Sequence, residues 1–99
     1  LDEARRLADR GALAQAESLL LARLTEQPED AAAWRLLGTV RLARDELAEA
    51  DDAFARAGYL DRGDEESLRL RILIADRRGE PGTAERLRAR LSRGDGASR

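Results

Sequence analysis

Ala31-Ala32-Ala33-Trp34-Arg35-Leu36-Leu37-Gly38, followed downstream by Ala50, Phe54 and Ala57, is the stretch whose spacing decides the fold. Counted from Ala31, a large residue stands at the fourth place and Leu-Gly at the seventh and eighth. A small residue follows at the twentieth, an aromatic ring at the twenty-fourth and a second small residue at the twenty-seventh. Two antiparallel helices satisfy this arrangement. Trp34 and Phe54 are bulky knobs, and Gly38, Ala50 and Ala57 are small positions that let the helices approach closely. Moving outward by 34 residues in either direction finds the same marks. Arg10-Gly11, Arg44-Asp45 and Arg78-Gly79 stand where each hairpin must turn. Ala16, Ala50 and Ala84 hold the small position of the second helix, and Leu13, Leu47 and Pro81 stand near its start. Pro28 closes one unit, and Arg62 occupies that place in the next.

This pattern resembles the tetratricopeptide repeat, a helix hairpin of 34 residues. The resemblance implies an all-α fold of three hairpins, about six antiparallel helices, stacked as a right-handed superhelix. The hairpins are expected at about 1–30, 31–64 and 65–92. Residues 93–99 lack apolar anchors and are expected to form a disordered tail.

In chain order, helices are predicted over about 1–10, 12–26, 31–44, 46–58, 65–78 and 81–92. Leu1, Ala4, Leu7 and Ala8 mark the buried face of the first helix, which lacks its first four repeat positions. Leu13, Ala16, Leu20 and Leu24 mark that of the second; Leu19 and Leu21 widen the stripe and predict burial on two sides. Asp30 and Asp64 are the expected N-caps. Trp34 is expected to be largely buried opposite Ala50. The run Leu68-Arg69-Leu70-Arg71-Ile72-Leu73-Ile74 alternates like a strand, but the repeat register places it in a helix. Ile72 stands where Gly38 does, which predicts looser packing of the third hairpin. Leu87 and Leu91 are expected to face partly uncovered surface, because no seventh helix follows. The chain opens at Leu1, already inside a helical pattern and without Met, which predicts a piece of a longer protein.

Composition narrows the function. The 99 residues are 42% hydrophobic and 38% charged but only 3% aromatic, so the core is built from Leu and Ala beneath wide solvated faces. A net charge of −2 favours neither nucleic acid nor an anionic membrane. All 18 basic residues are Arg, which suits carboxylate recognition, although an Arg-rich codon bias produces the same count. With no His and no Cys the usual general base, the nucleophilic thiol and most zinc sites are missing. Glu46, Glu49, Asp51 and Asp52 cluster near one helix start, where a metal site competes with a solvated face favoured by the helix dipole. No glycine-rich run is followed by Lys and Ser or Thr, so no phosphate loop is present. The chain itself therefore reads as non-catalytic, without metal or cofactor. No secretory signal or membrane-spanning run is present, and a cytoplasmic location without membrane insertion is expected.

In the tetratricopeptide family, ligand contacts cluster on the first helix of each hairpin. The resemblance assigns Arg5 and Asp9 in the first unit to a protein-binding concave face. It adds Arg35, Thr39 and Leu42 in the second, and Glu66, Arg69, Leu73, Asp76 and Arg77 in the third. Arg35 and Arg69 hold the same place in adjacent units, and with Arg5 they form a candidate basic strip for an acidic peptide. The same residues also read as solvated arginines paired with Asp9, Glu66 and Asp76.

A narrower resemblance rests on Ala57-Gly58-Tyr59-Leu60-Asp61, Glu66-Ser67-Leu68, the run from Ile72 to Glu80, and the run from Ala84 to Arg90. These are similar to the C-terminal repeats of CheR-type chemoreceptor methyltransferases, such as that of the Wsp surface-sensing pathway. This sequence departs from their pattern at Gly58, Arg62 and Ile72. The resemblance implies a regulatory module of an S-adenosylmethionine-dependent protein-glutamate methyltransferase whose catalytic domain precedes Leu1. It implies as partners a chemoreceptor cytoplasmic helix, the protein's own catalytic domain or a second copy. Self-association, structural packing, and an unrelated bacterial chaperone or assembly protein are the alternatives.

Overall fold

The computed structural model describes residues 1–97, with side chains through Gly94. Six helices follow one another: α1 (Asp2–Asp9), α2 (Leu13–Glu26), α3 (Ala31–Ala43), α4 (Leu47–Leu60), α5 (Glu65–Arg77) and α6 (Pro81–Ala97). Each packs mainly on its neighbours in the chain, so the helices form three successive hairpins. The starts of α2, α4 and α6 and the ends of α1, α3 and α5 repeat at the 34-residue spacing of the turn motifs.

The turns explain this regularity. Gly11, Asp45 and Gly79 have φ of 79°, 61° and 69°, the left-handed conformation that ends a helix. In each turn the next residue's N–H reaches back five residues: Ala12 to the Leu7 carbonyl (2.8 Å), Glu46 to Arg41 (2.9 Å) and Glu80 to Ala75 (2.9 Å). Carbonyls left over at the helix end are thereby satisfied and the chain is reversed. Asp30 and Asp64 cap α3 and α5 by accepting from the N–H groups of Ala33 and Ser67. Such a cap contributes about 1 kcal/mol.

The core has two connected parts. Ala4, Leu7, Ala16, Leu20, Leu24, Ala33, Leu37, Val40 and Ala53 join α1 to α4. Ala50, Phe54 and Ile74 join α4 to α5, with Leu42, Leu47 and Leu70 packed around them. Phe54 is fully buried, and a methyl group added at Gly38 would lie 2.7 Å from its ring. Gly38 is therefore a small position by necessity. In the third hairpin Ile72 stands in the place of Gly38 and Arg88 in that of Phe54; Arg88 is exposed and donates to Asp76 at 2.6 Å.

Several expectations are corrected. Trp34 is half-buried, because it lies in the first turn of α3 and spreads along the surface. Its Nε1–H donates to the Pro28 carbonyl at 2.8 Å, and the Arg56 guanidinium stands 5.0 Å from its ring centre. Leu19 and Leu21 are 41% and 43% exposed, since the described helices cover only one side of α2. Leu87 is buried, whereas Leu91 is half-buried, as a partly uncovered position requires. Helix α4 continues through Gly58 and Tyr59 to Leu60, because the repeat register outweighs the weak helix propensity of one glycine. Helix α6 is described through Ala97. Ser98 and Arg99 lie outside the described residues. The alternating run 68–74 lies within α5, as the register requires.

Gly38→Ala is expected to destabilise the fold by about 1–3 kcal/mol, although alanine is the better helix former. Phe54→Leu in the same chain should recover part of that loss. Urea titration of the single and double variants checks this; a Gly38→Ala protein as stable as the parent would contradict the close approach.

Candidate functional site

The repeat register puts Arg5, Thr39 and Leu73 at one place of α1, α3 and α5, and Asp9, Ala43 and Arg77 at the place one turn later. All six residues are exposed. This recurring stripe is free of core packing in each hairpin. Thr39 turns its hydroxyl back onto the Arg35 carbonyl at 3.1 Å, and Leu73 is 39% exposed. Glu66 and Arg69 are also exposed; Arg69 pairs with Glu65 at 3.3 Å and with Glu66 at 3.9 Å on its own helix. Asp76 is held by Arg88. Leu42 is half-buried and packs on the second core cluster, so little of it is available to a ligand.

Arg35 has a different task from the one its register suggested. Its Nε donates to Asp64 Oδ2 at 3.0 Å, and its Nη2 lies 3.6 Å from Asp61. The Asp64 side chain is 3% exposed and also accepts from the Ser67 N–H and hydroxyl. Arg35 thus ties α3 to the cap of α5. The expected strip of Arg5, Arg35 and Arg69 is not a row of equivalent charges: Arg35 faces the α4–α5 link, and Arg69 is neutralised locally.

Burial pushes the Asp64 carboxyl up, but hydrogen bonds from Ser67 and Arg35 outweigh it and hold the group below the usual carboxylate range. Asp30 follows the same logic. Burial raises it, whereas Arg23 at 2.8 Å and the Ala33 N–H lower it further. Other ion pairs also cross between hairpins. Glu17 receives Arg41 at 3.1 Å and Arg44 at 2.7 Å across α2 and α3, and Asp51 receives Arg71 at 2.9 Å across α4 and α5. Glu17 and Asp51 are register equivalents, a signal present in the sequence but unreadable without knowing which arginines arrive.

Asp51 is therefore engaged by Arg71, and Glu46 lies 4.0 Å from Arg44. Among the described residues no group of three or more His, Cys, Asp or Glu side chains is arranged to hold a metal. Among the same residues no helix is long and apolar enough to cross a membrane.

The class defined by this arrangement is an all-α, tetratricopeptide-like repeat fold. Among solved structures it is similar to MamA, residues 41 to the end, from Desulfovibrio magneticus RS-1, with a TM-score of 0.89 at 20% sequence identity. The match covers 97% of this chain and 54% of that one, so the chain spans about half the length of the structure it resembles. The likeness is one of fold. No protein-family model and no curated protein matches the chain.

The depressed Asp30 and Asp64 values set a pH dependence. The unfolded chain binds protons at these groups more readily than the folded one. Their stabilisation is complete above the ordinary Asp value of about 3.9 and is lost as the pH falls through their lower folded values. Asp30→Asn with Asp64→Asn keeps a capping side chain but removes the charge. The variant should melt lower at neutral pH and show a shallower decline in melting temperature between about pH 5 and about pH 2.5. Parallel pH curves for the two proteins would show that these caps carry no linked proton.

Proposed function

We propose that the chain is a non-catalytic protein-interaction module that binds a partner helix or extended peptide on the exposed face of α1, α3 and α5. The carrying observation is the stripe of Arg5, Thr39 and Leu73 beside Asp9, Ala43 and Arg77, left out of the core in all three units. Leu73 supplies an apolar anchor, Arg5 and Arg77 supply guanidinium groups for carboxylates, and Arg69 joins them by exchanging its exposed Glu65 and Glu66 partners for the ligand's. We place this module in a CheR-type receptor-glutamate methyltransferase of surface-sensing and biofilm signalling, as its regulatory part. The support is the set of C-terminal repeat motifs between Ala57 and Arg90. The glutamate-bearing cytoplasmic helix of a chemoreceptor then has the fitting chemistry: acidic side chains interleaved with apolar ones.

Exposed pairs of this kind contribute only ~0.2–1 kcal/mol each, so binding is weak and salt-sensitive. Arg69→Glu with Leu73→Asp should reduce affinity for a receptor cytoplasmic fragment at least about tenfold, with little change in melting temperature. Arg35 is left intact because its loss would disturb the α5 cap. Titration of both proteins at low and moderate salt tests this, and equal affinities would remove the first-helix face as the binding surface.

A second reading, self-association or packing on another domain, draws on Leu19 and Leu21, which stand 41% and 43% exposed on α2. Light scattering of the chain and of a Leu19→Gln/Leu21→Gln variant separates the two. Concentration-dependent dimers abolished by the variant favour this reading, and a strict monomer at high concentration counts against self-association.

A further inference from the structure

The repeat register allows the two junctions between hairpins to be compared residue by residue. At the first junction Trp34 packs on the cluster containing Leu20, Leu24 and Leu37, with its N–H on the Pro28 carbonyl and Arg56 over its ring. Moving on by 34 residues, Leu68 stands for Trp34, Gly58 for Leu24 and Arg71 for Leu37. Arg62 stands for Pro28, Arg90 for Arg56, and Phe54 takes the place of Leu20 at the base. The first three exchanges each put a smaller or a charged residue where the first junction has a bulky apolar one.

The result is a cleft of about 90 Å³ between α4, α5 and α6, lined by these same residues of the second junction. A methyl group added at Gly58 would meet nothing within 4 Å, so the open space extends to the α4 backbone. Its chemistry is two-sided. Phe54, Leu68 and the bare backbone at Gly58 are apolar. The mouth is cationic: Arg71 is paired with Asp51, and Asp64 is already committed to Arg35 and Ser67. Arg62 lies 5.9 Å from the Tyr59 ring centre, and among the described residues neither Arg62 nor Arg90 has a carboxylate partner.

We propose that this cleft is a binding site for an aliphatic carboxylate, its branched hydrocarbon end against Leu68, Ala55 and the backbone at Gly58, above the buried Phe54, and its carboxylate between Arg62 and Arg90. The cleft is smaller than the cavity of about 150 Å³ that accepts benzene, so it excludes an aromatic ring and admits only the branched tip of an aliphatic chain. Arginine's planar fork matches both carboxylate oxygens. The carboxylate is carried either by a free small acid or by the C-terminal leucine of a peptide. None of the cleft residues belongs to the first-helix stripe, so this site stands or falls separately from the proposed interaction face.

Two probes distinguish the sources: 4-methylpentanoate, and an N-acetylated tripeptide ending in leucine, each compared with its amide. Amide resonances around Gly58, Leu68 and Arg90 of the full chain should shift with at least one of the acids, and about tenfold more weakly with its amide. Binding of one acid alone supports the site and identifies the carrier. Leu68→Trp rebuilds the packing of the first junction and Gly58→Leu fills the space beside α4. Both should lose binding, and Leu68→Trp should melt no lower than the parent. Arg62→Gln with Arg90→Gln should weaken binding at least about tenfold at unchanged melting temperature. Absence of shifts with both acids overturns the proposal, as does undiminished binding by a folded Leu68→Trp or Gly58→Leu protein.

Discussion

The hydrogen bond that reaches back five residues at the end of each first helix is the constraint on which the rest depends. Ala12, Glu46 and Glu80 make it to Leu7, Arg41 and Ala75, and it forms only because the preceding residue takes a positive φ. Two of those residues are glycines and the third is Asp45, whose short polar side chain is among the few that tolerate this conformation. Once the turn is set, both the length of the first helix and the start of the second are fixed. The small residues Ala16, Ala50 and Ala84 then meet the neighbouring helix at the same depth, and all three are fully buried.

Between hairpins, ion pairs add to the apolar packing that joins α2 to α3 and α4 to α5. Glu17 bridges to Arg41 and Arg44, Arg35 to Asp64, and Asp51 to Arg71. These pairs are partly shielded, so they orient neighbouring units even where their net energy is small. The arrangement also gives Arg35 a structural task at the α5 cap. A residue placed in the candidate binding strip by its position in the repeat also acts on the local structure of the next unit.

Helix order, turn positions and both aspartate caps were legible in the sequence, because they depend on contacts within a few residues and recur at one period. Gly38 was legible as a small position for the same reason. What was not legible depended on distant partners. The exposure of Leu19 and Leu21 reflects which side of α2 the other helices cover. Trp34 lies half-open because a carbonyl at Pro28 and a guanidinium at Arg56 meet it at the surface. The task of Arg35 rests on Asp64, 29 residues away. Of the candidate site, the exposed stripe could be anticipated from the register, but its charge pairing could not. The cleft beside Gly58 shows itself only when the two junctions are superposed, since each substitution alone looks like ordinary repeat variation.

The strong helix–helix contacts join only elements adjacent in sequence. Such a chain has little loop entropy to overcome before its contacts form, and it behaves as a one-dimensional stack. Burial is most complete in the α3–α4 hairpin, where Phe54 meets Gly38. The outer hairpins are free to open while this centre stays closed, so amide protons of α3 and α4 would be the last to exchange with solvent. A partner held on the outer units would therefore act on their opening equilibrium, and its affinity would report how often the ends of the stack are formed.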